Sequence, residues 1–127
     1  MFELTIIVDF EAAHHIPDYP GKCCRLHGHN WKVEVSVKGK QLNTLGMLID
    51  FKELKAEVQV IIGKLDHFYL NEIEPFCRIS PTAENIARYI YDELANHAGL
   101  AETVTVASVK VWESAHSAVR YSGEEQQ

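Results

Sequence analysis

The strongest constraint on the fold lies in one stretch, residues 29–38, where Trp31, Val33, Val35 and Val37 alternate with Lys32, Glu34, Ser36 and Lys38. A period of two puts one set on a buried face and the other on a wet one, which a strand can do and a helix cannot. Residues 2–13 repeat the pattern, with Leu4, Ile6, Val8 and Phe10 set against Thr5, Ile7, Asp9 and Glu11. Thr103–Glu113 and Ser117–Ser122 predict two further strands. Between the strand pairs the period changes. Asp50, with Glu53 three residues on, caps a helix starting at Phe51, and Phe51, Leu54, Val58, Ile61, Ile62 and Leu65 form its apolar stripe. A second helix is predicted from Ser80 as cap and Pro81 as first helical residue. Ile86, Ala87, Ile90 and Leu94 form its buried face, and Gly99 stops it. The order β-β-α-α-β-β predicts an α+β domain, with two helices covering one face of a four-stranded antiparallel sheet. An open sheet has two edges, which invite pairing with other subunits, so an oligomer is expected.

The 127 residues suit a single domain, 1–127, with enough chain to bury a core. The longest apolar runs, Leu4–Val8 and Val58–Ile62, are far too short to span a bilayer, and no leader peptide is read at Met1-Phe2-Glu3. A formal net charge of −6 argues against nucleic acid as a partner, because phosphate backbones reward clustered Lys and Arg. A small anionic substrate held by a few local cations remains compatible. Three cysteines, two of them adjacent, make a poor disulfide framework and suit a reduced, cytoplasmic setting.

Seven histidines need an explanation. His27 and His29 flank Gly28 at the start of the second strand, so their side chains share a face. A hairpin of the first two strands brings His14, at the end of one, beside the start of the other. Three neutral imidazoles with an open fourth position form a zinc site of the catalytic type. His15 points to the opposite face. Two other readings stand beside this one: surface histidines without a metal, and a closed structural zinc site of Cys23, Cys24, His27 and His29. Adjacent cysteines rarely both reach one ion, which counts against the second.

The two long connections, from about Ala13 to Leu26 and from about Asp66 to Arg78, hold the remaining unusual residues. Lys22 and Arg25 flank Cys23 and Cys24, a setting that favours thiolate and gives Cys23 the character of a general base. Cys77 reads as a buried, inert thiol. Asp66 next to His67 suits a carboxylate fixing an imidazole tautomer, provided the helix ends there; a solvated loop is the plainer reading. Glu113 closes the third strand, where a carboxylate can accept two parallel N–H bonds from a planar amidine-like edge, or simply face solvent. His97 and His116 read as surface residues.

Five segments together form a recognisable pattern: Phe10-Glu11-Ala12-Ala13-His14, Cys23-x-x-x-His27-Gly28-His29, Leu65-Asp66-His67, Pro81-Thr82-Ala83-Glu84-Asn85 and Val111-Trp112-Glu113. In this order and spacing the chain resembles the 6-pyruvoyltetrahydropterin synthase superfamily over nearly its whole length. The resemblance implies the tunnelling fold, with sheets joined edge to edge into barrels, commonly hexamers, and sites at subunit interfaces. It implies His14, His27 and His29 as zinc ligands and Cys23 as the catalytic cysteine. Asp66 and His67 would be its acid–base partners, supplied by a different subunit, and Glu113 the carboxylate anchoring the pterin ring. The three-residue gap between Cys23 and His27 is similar to the bacterial 6-carboxy-5,6,7,8-tetrahydropterin synthases of queuosine biosynthesis. That branch converts 7,8-dihydroneopterin triphosphate to the carboxypterin, acetaldehyde and triphosphate. Lys22 and Arg25 are placed to meet the triphosphate. Two residues depart from the branch pattern: Cys24 stands where Gly is usual, and Phe68 where a second His is common. The alternatives are a 6-pyruvoyl synthase, which retains the side chain, and a non-catalytic, zinc-stabilised pterin-binding oligomer.

Overall fold

The computed structural model of the chain describes residues 1–97 and 99–124, and of His97 the backbone alone. Its elements are β1 (Phe2–His14), β2 (His27–Gly39), α1 (Phe51–Ile62), α2 (Ala83–His97), β3 (Thr105–Ser114) and β4 (Ser117–Tyr121). The four strands make one antiparallel sheet in the order β1-β2-β3-β4. This is the predicted β-β-α-α-β-β arrangement. No described helix is long and apolar enough to cross a membrane.

Alternation decides which face is covered. Ile6, Val8, Phe10 and Ala12 of β1 and Trp31, Val33, Val35 and Val37 of β2 point toward the helices, where they meet Leu54, Val58, Ile61 and Ile62 of α1 and Ile86, Ala87, Ile90 and Leu94 of α2. The opposite face carries Asp9, Glu11, Lys32 and Lys38 and is exposed. β1 and β2 are in register along their whole length, with Phe10 opposite Trp31 and His14 opposite His27. This hairpin positions the site. At the end where the histidines lie, the hairpin stays covered, with His14 buried beside Ala12 and Trp31.

Several local expectations need correcting. Thr82, rather than Ser80, caps α2: its Oγ1 accepts the Asn85 N–H at 3.1 Å. Pro81 lies outside the helix, and its carbonyl is turned to the His14 ring at 2.7 Å instead of serving the first helical turn. The Ser80 carbonyl accepts from the Thr82 N–H and from Asn85 Nδ2. α1 ends at Ile62, before Leu65; two tight turns then return Leu65, fully buried, to the core. Phe51, assigned above to the buried stripe, is 58% exposed and lies with Phe2, Leu42 and Met47 at the far end of the sheet. Cys77 is exposed rather than buried, on a turn whose Glu74 carboxylate pushes the thiol pKa up.

Candidate metal centre and acid–base pair

His14 is 1% exposed, and its ring lies 4.5 Å from that of His27 and 5.1 Å from that of His29, centroid to centroid. The hairpin register produces this convergence, as the sequence predicts. Main-chain carbonyls fix two of the rings. A carbonyl can only accept, so His14 Nδ1–H donates to Pro81 O and His27 Nδ1–H donates to Arg25 O, each at 2.7 Å. Each ring then presents Nε2 with its lone pair free. This is the usual way a second layer of contacts sets the tautomer of a metal-binding histidine. Burial lowers the pKa of both His14 and His29, which favours the neutral, ligating form.

Glu113 joins this cluster. Its Oε1 lies 3.0 Å from His29 Nε2 and 3.6 Å from His14 Nε2. The His14 contact is longer than a hydrogen bond, and neither Nε2 atom, both buried, has a hydrogen-bond partner. Such orphaned acceptors cost free energy unless something else satisfies them. One donor atom from each of His14, His27, His29 and Glu113 falls within 4.8 Å of all the others. Three imidazole nitrogens and a carboxylate oxygen suit zinc, so the residues fit the metal. The alternative of a structural site through Cys23 and Cys24 finds no support, since neither thiol belongs to the donor group among the described residues.

Cys23 sits half-buried in a short 3-10 turn, Lys22–Cys24, in the β1–β2 connection. Its carbonyl accepts the Ile16 N–H at 2.7 Å, tying the turn to the end of β1. Cys24 is exposed. Lys22 and Arg25 are also exposed, flanking the pair as in sequence.

Asp66 and His67 do pair, because the helix has ended. His67 has φ 65°, a left-handed conformation uncommon for a residue with a side chain, and this turns its Nδ1 to 2.9 Å from Asp66 Oδ1. The same Asp66 oxygen accepts the Glu11 N–H at 2.9 Å. That bond, with the His67 contact added to it, holds the Asp66 carboxyl below its ordinary range. The His67 N–H donates to the Glu11 carbonyl at 2.6 Å, and Ala13 N–H to Phe68 O at 3.2 Å, so the segment runs along the outer edge of β1. Beyond it, Tyr69 OH lies 2.6 Å from His15 Nδ1, and Asn71 bonds the His15 main chain on both sides. His15 therefore points away from the metal site, as expected. His116 is exposed. The His97 side chain lies outside the described residues.

Within one chain the Asp66–His67 pair belongs to the side of Glu11, while the histidine cluster belongs to the covered side of the sheet. The sequence reading did not assign Glu11, Tyr69 or Asn71 a role. For Glu11 a signal was present, since it sits in the Phe10–His14 segment. The other two depend on a loop folding back onto β1, which no local pattern reports. The carbonyls of Pro81 and Arg25 are equally silent, being main-chain groups.

The family described as 6-pyruvoyl tetrahydropterin synthase matches residues 3–124. A Synechocystis protein named 6-carboxy-5,6,7,8-tetrahydropterin synthase is 42% identical over 117 residues, covering 88% of this chain and 86% of that protein. A Haemophilus influenzae protein of the same name is 32% identical over 146 residues, covering 95% and 99%. The solved 6-pyruvoyl tetrahydropterin synthase of Caenorhabditis elegans superposes with a TM-score of 0.87 at 26% identity, covering 97% of this chain and 96% of that one. With the family matched from the first strand to the end of the described residues, the chain belongs to the 6-pyruvoyl tetrahydropterin synthase family.

Proposed function

We propose that this chain is a zinc-dependent 6-carboxy-5,6,7,8-tetrahydropterin synthase. It would act in the cytoplasm as a homo-oligomer, on 7,8-dihydroneopterin triphosphate, in queuosine biosynthesis. The observation that carries this reading is the convergence of His14, His27 and His29, with main-chain carbonyls on the Nδ1 atoms of His14 and His27 and both the His14 and His29 Nε2 atoms orphaned. The relatives carrying the carboxypterin name, and the three-residue gap between Cys23 and His27, support this branch over the pyruvoyl one. The fold shared with the C. elegans enzyme keeps the pyruvoyl product as the second reading.

His14, His27 and His29 would hold the zinc ion, which, when bound, polarises hydroxyl oxygens of the substrate side chain and makes their protons easier to remove. Glu113 is close enough to that site to hold the amino-pyrimidine edge of the pterin by paired hydrogen bonds. Cys23 takes a proton from the side chain. His67, oriented by Asp66 through Nδ1, handles protons at Nε2 on the other side of the substrate. The resemblance implies that Cys23 and the Asp66–His67 pair meet across a subunit boundary. Lys22 and Arg25, exposed on the Cys23 turn, meet the triphosphate.

Metal removal and restoration test the reading. Chelated protein should stop consuming 7,8-dihydroneopterin triphosphate and recover with one zinc per chain. Cys23→Ala should keep its zinc and lose turnover. Full turnover by protein shown to be metal-free contradicts the zinc assignment, and loss of zinc in Cys23→Ala would make Cys23 a ligand.

A further inference from the structure

We propose that Glu11 is the proton relay of the Asp66–His67 pair, taking the proton that His67 carries at Nε2 and passing it to water. The proposal rests on the reading of Asp66–His67 as an acid–base pair. It goes beyond that reading in assigning the residue through which the pair exchanges protons with solvent.

Glu11 touches the pair at three points. Its N–H donates to Asp66 Oδ1 at 2.9 Å, its carbonyl accepts the His67 N–H at 2.6 Å, and its Oε2 lies 3.4 Å from His67 Nε2. The first two contacts are main-chain. They fix the two residues relative to β1 whatever side chain stands at position 11. The third is the only one that chemistry can use. Asp66 occupies Nδ1, so Nε2 is the ring nitrogen left to exchange a proton with a substrate. Among the described residues, Glu11 is the carboxylate that pairs with that nitrogen.

Exposure fits a relay better than a structural clasp. The Glu11 and His67 side chains are 63% and 73% exposed, so their contact contributes little to stability. In the single chain it leaves the Glu11 carboxylate open to water. The two groups share an open depression with Ala12, Ala13, Gly28, His29 and Asn30. Meanwhile His67 is held at φ 65°, a conformation that its main-chain bonds to β1 maintain and that a free loop would relax. The ring is thus held in one place with a carboxylate at each nitrogen. In the step itself the N–H bond at Nε2 breaks with its electron pair retained on nitrogen. An O–H bond forms at Oε2, and water then removes that proton and restores the carboxylate.

Two measurements test the relay, one with turnover and one without. In the zinc-loaded protein, Glu11→Gln and Glu11→Ala should each lower kcat about tenfold, with KM and zinc content unchanged. Added formate should restore Glu11→Ala, where the cavity admits a small carboxylate, and leave Glu11→Gln unrescued. Wild-type kcat in both variants, or low kcat in Glu11→Ala that formate fails to raise, overturns the proposal. Independently, exchange of the His67 Nε2 proton with water, read by NMR on protein labelled with 15N-histidine, should slow several-fold in Glu11→Gln. Exchange at the wild-type rate overturns the relay even where the enzyme reading stands. Slowed exchange in a protein that turns nothing over upholds the relay and removes the proposed function.

Discussion

His14 shows how much one residue carries. It ends β1, lies 1% exposed, and directs Nδ1 to Pro81 O and Nε2 to an orphaned position between His29 and Glu113. Burial holds the pKa values of His14 and His29 below 6.5 in the folded chain. The unfolded chain protonates near 6.5, so between that value and the lower folded pKa it binds more protons than the native state. The stability of metal-free protein should therefore fall as pH drops through that window, then level off once both states are protonated. Melting temperatures of metal-stripped protein at about pH 7.5 and about pH 5.5 check this, and equal values would contradict it. Glu113 poses a sharper question, because its carboxylate is near enough to serve either metal or pterin. Glu113→Gln should retain zinc and weaken pterin binding by about tenfold or more. Loss of zinc, measured by metal analysis, would instead make Glu113 the fourth ligand. Residue types and spacing exposed the three histidines in sequence, because strand parity fixes which side chains share a face. Glu113 as a neighbour of His29, and Cys77 as an exposed thiol, were not legible, because both follow from how loops and strand ends settle in three dimensions.

At the level of elements, periodicity carried most of the information. Alternation gave β1 and β2 with their covered faces, and helical spacing gave α1 and α2. What failed was the punctuation. Ser80-Pro81-Thr82 holds two eligible caps, and the preference for proline at the first helical position favours the wrong one. The deciding fact is tertiary: His14 draws the Pro81 carbonyl away from the helix. Thr82→Ala should cost about 1 kcal/mol of stability, seen as a lower denaturant midpoint, while Ser80→Ala, which removes a buried and unpartnered hydroxyl, should cost nothing or stabilise. A larger loss in Ser80→Ala than in Thr82→Ala would return the cap to Ser80. Leu54 is fully buried between α1 and the sheet, so Leu54→Ala should cost about 2–5 kcal/mol by the same measurement.

The whole molecule presents a covered sheet with an open edge at β1. Glu11 and Ala13 send their N–H groups outward to the 66–68 segment. By the two-residue repeat of an antiparallel ladder, Thr5, Ile7 and Asp9 face the same way along the uncovered part of the strand. An edge of this kind accepts another strand, and the resemblance implies that subunits join there. Ile7→Pro removes one outward N–H without touching the β1–β2 ladder. It should leave a folded chain and a smaller assembly by light scattering; an unchanged mass would place the contact elsewhere. The resemblance implies sites at subunit interfaces, which would give such an assembly a chemical purpose. Identification of the product decides which reaction the chain carries out. Zinc-loaded protein incubated with 7,8-dihydroneopterin triphosphate should yield 6-carboxytetrahydropterin by mass together with acetaldehyde. A pterin retaining its three-carbon side chain, with no acetaldehyde released, would contradict the carboxypterin assignment and move the chain to the pyruvoyl branch of its family.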